Sequence, residues 1–128
     1  YAFNAAPAPV AAVAPAPAAT RSYLVFFDWN KADLTDRARQ IIGEAAQART
    51  GQQVTRIEVN GYTDRAGTPQ YNEALSLRRA NAVAAELLRR GVQRNEIVTR
   101  GFGEANPLVP TADGVREPQN RRVEIILR

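Results

Sequence analysis

The chain has no cysteine, no histidine and no methionine. Without cysteine there is no disulfide framework, no thiolate nucleophile and no thiolate metal site. Without histidine the usual zinc constellations and the common nucleophile–base pairs are excluded as well. No proline-free apolar run of about 18 residues occurs, so no segment reads as a membrane-spanning helix. The missing methionine leads us to expect that residue 1 is not an initiator and that no signal peptide remains. At 128 residues the chain has room for one domain with a real core and not for two of ordinary size.

Charge is also absent from one region, residues 1–20. Asn4 to Thr20 is almost wholly Ala, Pro and Val, and Pro7, Pro9, Pro15 and Pro17 prevent a helix. Such a composition favours extended, semi-rigid spacers and builds no core of its own. We therefore expect a linker over 1–20, attached to a preceding region, and one domain over 21–128. Tyr1-Ala2-Phe3 suits the aromatic end of an outer-membrane β-strand, and a plain tail fits the same three residues.

From Arg21 onward regular patterns begin. Ser22 to Phe27 is a short apolar and aromatic run, read as a buried strand that ends at Asp28-Trp29-Asn30. Thr35 caps a helix with Ala38, Ile41, Ile42 and Ala45 on one face, and Gly51 stops it. Val54 to Asn60 alternates, which predicts Ile57 and Val59 inside and Arg56, Glu58 and Asn60 outside. A polar loop then leads to Thr68-Pro69, a hydroxyl cap followed by proline in the first turn, and to a long helix ending at Gly91. Ile97 to Phe102 is a third strand, 104–119 a long loop, and Asn120 to Leu127 a closing strand with Val123, Ile125 and Leu127 on one face. The order βαβαββ with two amphipathic helices predicts an α+β two-layer sandwich, both helices packed on one mixed sheet.

The stretch Asn60 to Val83 holds the chemistry. At about 100° per residue, Ala80, Val83, Ala84, Leu87 and Leu88 share one arc of the long helix. Arg79 lies on the flank of that arc, and Asn72, two turns earlier, is only about 20° away. Arg78 points the other way. A guanidinium beside apolar surface is costly unless paired, and Asp64, in the loop that enters the helix, is the expected partner. Two readings follow from this spacing. Asp64 and Arg79 face one pocket and grip a ligand of both charges, or the pair simply ties the loop down.

The pattern around the pair carries further information. Thr63, Asp64, Gly67, Tyr71, Asn72, Leu75, Ser76, Arg79, Ala80 and Val83 stand at spacings that resemble the signature of OmpA-like peptidoglycan-binding domains. Three other blocks resemble that family in the same order: Phe26-Phe27-Asp28 with Asn30, Leu34 and Thr35; Gly101 to Glu104 with Pro107; and Asn120 to Ile125. The resemblance covers about Tyr23 to Arg128 and implies a βαβαβ core with a further strand. It implies noncovalent binding of peptidoglycan stem peptides through meso-diaminopimelate, whose side chain ends in an ammonium and a carboxylate on one carbon. Asp64 would take the ammonium and Arg79 the carboxylate, with a planar fork that lysine cannot copy. Asn72, Thr63 and the backbone of Phe27 and Asp28 would satisfy remaining polar atoms, Leu75 would form an apolar wall, and Arg121 would meet a second stem carboxylate or remain a solvated strand-end residue. No cofactor and no metal is implied, and the protein is expected on the periplasmic side of the outer membrane. The preceding region would be a barrel, with a lipoprotein anchor or a motor stator as alternatives.

Two other classes fit less well. A net charge of +4 is compatible with a nucleic-acid or polyanion partner, yet acids are interspersed and no helix has a one-sided basic stripe beyond Arg89-Arg90. An enzyme acting on the wall would use paired carboxylates. An Asp64 beside an arginine would stay ionised, which suits binding and not general acid catalysis.

Overall fold

The computed structural model describes residues 21–50, 54 and 56–128. The expected linker over 1–20 and the expected helix stop at Gly51 lie outside the described residues. The elements in chain order are β1 (Arg21–Phe26), α1 (Asp36–Thr50), β2 (Ile57–Gly61), α2 (Pro69–Arg89), β3 (Ile97–Gly101) and β4 (Arg122–Leu127), with short 3-10 turns at Arg94–Glu96 and Pro118–Asn120. Four strands form one sheet in the order β1-β4-β2-β3. β4 runs antiparallel to both β1 and β2, and β2 runs parallel to β3, joined by α2. This is the two-layer α+β arrangement expected from the pattern.

Both helices start as their sequences indicate. Thr35 Oγ1 accepts from Ala38 N at 3.0 Å, and Thr68 Oγ1 accepts from Tyr71 N at 3.1 Å with Pro69 following. Gly91 takes over after α2 at φ +96°, a conformation glycine adopts freely. Between helices and sheet lies the core: Val25, Ile42, Ala45, Ile57, Val59, Val83, Leu87, Val123, Ile125 and Leu127, each without exposed surface.

Strand β1, expected to be buried, is an edge strand with Leu24 and Phe26 exposed on its open face. Two further details depart from the sequence expectation. Glu58 and Asn60 do point to the face without helices, but they are buried there. Strand β2 is an interior strand, so long neighbours fold over it, and Glu58 Oε2 lies 2.9 Å from both Arg56 and Arg128. The third departure is the buried face of α2. It consists of Asn72, Leu75, Ser76, Arg79, Ala80, Val83, Glu86 and Leu87, whereas Ala84 and Leu88 are only half-buried. The helix is thus rolled toward its polar edge, and Arg79 sits at the centre of the contact face and not at its flank.

Glycine makes that roll possible. Gly61 and Gly101 pair across β2 and β3, directly beneath Ser76 and Leu77. A Cβ on Gly61 would come within 2.0 Å of Ser76 O, a backbone atom that cannot swing away. Gly61→Ala is therefore expected to force α2 off the sheet and cost about 1–3 kcal/mol, as overpacking does. Urea unfolding checks this, and an unchanged midpoint would show that the helix shifts at no cost.

Candidate ligand-binding site

Five segments converge at the end of the sheet where β2 and β3 finish: the β1–α1 segment, the loop after β2, the first half of α2, the 104–119 loop and the start of β4. At their meeting point lie three charged side chains, Asp64, Arg79 and Arg121.

Asp64 is 3% exposed. Its Oδ1 accepts from Ala66 N at 3.2 Å, and its Oδ2 accepts from Glu117 N at 3.1 Å and from Arg121 at 3.0 Å. The direct ion pair of Asp64 is therefore with Arg121. Arg121 also donates to Phe27 O at 3.1 Å. It is a largely buried strut that joins the loop after β2 to the end of β1, and not a solvated strand-end residue.

Arg79 has no exposed surface. Its Nε donates to Lys31 O at 2.7 Å, one terminal nitrogen to Tyr62 O at 3.1 Å and the other to Asp28 O at 3.0 Å. The guanidinium also lies 5.4 Å from the centre of the Phe27 ring. So the expected direct Asp64–Arg79 pair is not formed. The reason is the roll of α2, which aims Arg79 under the β1–α1 segment, where three backbone carbonyls reach it first. The two groups still sense each other. Burial pulls the Arg79 guanidinium down to about 10, the Asp64 carboxylate opposes this, and Arg121 adds to it. At neutral pH Arg79 remains charged.

The other expected site residues are nearby. Asn72, 1% exposed, donates to Asp64 O at 3.3 Å and to Glu104 Oε1 at 3.1 Å. Thr63 Oγ1 donates to Asp64 O at 2.9 Å, and Thr63 N to Gly103 O at 2.7 Å. Leu75 is buried beside them in the first half of α2. Phe27 is in the core, while the Asp28 side chain is exposed and contributes its carbonyl. Trp29 is 41% exposed at the rim. Arg78 is exposed over the Tyr71 ring, and Arg89 and Arg90 both pair with Glu86. One carboxylate thus offsets part of the charge of that pair.

Three residues matter more here than sequence reasoning indicated. Asn120, fully buried, makes a two-way hydrogen bond with the backbone of Val109, 2.8 Å in each direction, and so closes the 104–119 loop on itself. Arg65 donates to Thr111 O at 3.0 Å and pairs with Asp113, which ties the same loop to the Asp64 turn. Glu104 receives Asn72. Only Asn120 and Glu104 stood out in the sequence, as parts of the Asn-Arg-Arg and Gly-Phe-Gly-Glu blocks.

Comparison with known proteins agrees with this outline. A family model described as the OmpA family matches residues 26–121. An outer membrane protein of Gluconacetobacter diazotrophicus is 57% identical over 139 residues, covering 99% of this chain and 36% of that protein. The peptidoglycan-associated lipoprotein of Pasteurella multocida is 37% identical over 98 residues, covering 77% of this chain and 65% of the lipoprotein. Among solved structures, the OmpA-like domain of FopA1 from Francisella tularensis superposes with a TM-score of 0.76 at 26% identity, covering 85% of this chain and 75% of that one. The chain spans between a third and two thirds of the length of these two curated relatives.

Proposed function

This chain belongs to the OmpA family, and from that premise we propose that it binds peptidoglycan noncovalently through the meso-diaminopimelate of the stem peptide. One observation carries the reading: the hydrogen-bonding capacity left over at the buried charge cluster. An arginine has five N–H donors and a carboxylate about four acceptor positions. Arg79 uses three donors and Asp64 three acceptor positions on the protein itself. The one donor left on each terminal nitrogen of Arg79 suits a carboxylate, and the free acceptor position on Asp64 suits an ammonium. Two buried guanidiniums against one buried carboxylate also leave a charge of +1, which an anionic ligand group would compensate.

In this role Arg79 clamps the carboxylate and Asp64 accepts from the ammonium. Arg121 holds the Asp64 side chain aimed, Asn72 and Thr63 fix the Asp64 carbonyl, and Leu75 with Phe27 supplies the apolar surroundings that small-ligand sites need. The chemistry asked of the cluster is binding: both oxygens of Asp64 accept hydrogen bonds from the protein and one acceptor position is left for a ligand. The similarity to a peptidoglycan-associated lipoprotein supports the same ligand class. At the level of the whole protein, the domain would anchor an outer-membrane protein to the wall from the periplasmic side, with residues 1–20 as the tether.

The test is an NMR titration with two stem tripeptides, one ending in meso-diaminopimelate and one in lysine. The lysine tripeptide lacks the second carboxylate and is expected to bind weaker by about 1–3 kcal/mol, with the shifts of the diaminopimelate ligand centred on Asp64, Asn72 and Arg79. Equal affinities would mean that Arg79 does not contact the ligand.

A further inference from the structure

We propose that residues 28–34, between β1 and α1, form a latched lid over Arg79 that must lift before the clamp can engage; this rests on the reading of Arg79 as the carboxylate clamp. Two of the three carbonyls that cap Arg79, those of Asp28 and Lys31, belong to this segment. With Arg79 fully covered, a ligand carboxylate reaches its two remaining donors only when this segment moves aside. The partial negative charges of those carbonyls stand beside the place that the ligand's charge would take.

The segment has the build of a mobile cover between two fixed ends. At one end Phe27 is buried in the core beneath the guanidinium. At the other Thr35 caps α1. The residues between belong to no strand or helix, and within the segment the one backbone hydrogen bond is Lys31 N to Asp28 O at 3.2 Å. Asn30 stands at φ +59°, a left-handed conformation that asparagine tolerates better than most residues. Leu34 anchors the far end against the core, while residues 28–31 and 33 are exposed, and exposed side chains outside regular structure mark a region of low local stability.

Besides the two Arg79 bonds, two exposed contacts hold it shut. The Tyr71 hydroxyl, from the first turn of α2, donates to Asn30 Oδ1. The Arg116 guanidinium, from the 104–119 loop, lies 3.6 Å from the centre of the Trp29 ring. Neither residue touches Asp64 or Arg79 through a hydrogen bond, so they act as positioning residues. Because ligand binds only the open form, its apparent affinity and its association rate scale with the fraction of time the lid is open.

Tyr71→Phe removes the hydroxyl and keeps the ring over which Arg78 lies. Arg116→Gln loosens the other latch. In the ligand-free domain, each is expected to speed hydrogen exchange of the Lys31 amide on the order of fivefold, the worth of one ordinary hydrogen bond, with α2 amides unchanged. Unchanged Lys31 exchange in both variants overturns the proposal. Trp29, the chain's single tryptophan, then reports lid motion by stopped-flow fluorescence with the diaminopimelate tripeptide. A saturable emission change and an association rate on the order of fivefold faster in Tyr71→Phe support the lid. Binding seen by NMR with no change in Trp29 emission overturns it. If NMR detects no binding to the unmodified domain, the stem-peptide reading fails, and the ligand-free exchange rates decide the lid alone.

Discussion

Arg79→Ala is expected to abolish stem-peptide binding and to weaken the fold in the same stroke. The side chain fills the centre of the α2 contact face and satisfies three carbonyls from two chain segments. Truncation leaves those carbonyls without their donor in a largely buried site and opens a cavity, which together cost about 3–4 kcal/mol of unfolding free energy. Loss of a charge-assisted clamp removes at least about 2–3 kcal/mol of binding, on the order of a hundredfold. Urea unfolding measures the first effect and NMR titration the second. Arg79→Lys separates them, because lysine retains charge and length but not the fork. It should recover more stability than affinity. Recovery of full affinity by Arg79→Lys would refute the bidentate clamp.

Asp64→Ala is expected to be the most destabilising single change near the site. It leaves the Arg121 guanidinium buried without its counter-charge, and breaking one side of such a pair costs about 3–5 kcal/mol. It also frees Ala66 N and Glu117 N, so the 104–119 loop loses one of its ties to the β2 loop. The double variant Asp64→Ala with Arg121→Ala should be more stable than Asp64→Ala alone, since the unpaired cation is gone. Thermal unfolding of the two variants decides this. A double variant no better than the single one would mean that the backbone contacts of Asp64, and not its charge pair, carry the effect.

Much of this arrangement was readable along the chain. Thr35 and Thr68-Pro69 announced both helix starts because a hydroxyl cap and an N-terminal proline act within one turn. The inward sets Ile57 and Val59, and Val123, Ile125 and Leu127, followed from the two-residue repeat of a strand. Asp64, Asn72 and Arg79 were legible as one group because a loop and the helix it enters cannot separate far. The partner of Asp64 was not legible. Arg121 lies 57 residues away, and nothing in its neighbours Asn120 and Arg122 distinguishes a strut from a surface cation. The Arg79 caps were equally hidden, since Lys31, Tyr62 and Asp28 contribute carbonyls that every residue possesses.

Local periodicity and motif spacing are enough to settle the number and order of elements, the apolar faces and the family. Tertiary structure alone decided which charge pairs with which. The glycine pair Gly61–Gly101 lets α2 roll close to the sheet, the roll carries Arg79 beneath the β1–α1 segment, and Asp64 is left to Arg121. Pairing of buried charges depends on differences of a few ångströms between segments far apart in the chain, and an electrostatic preference that steep with distance is settled only when the packing is complete.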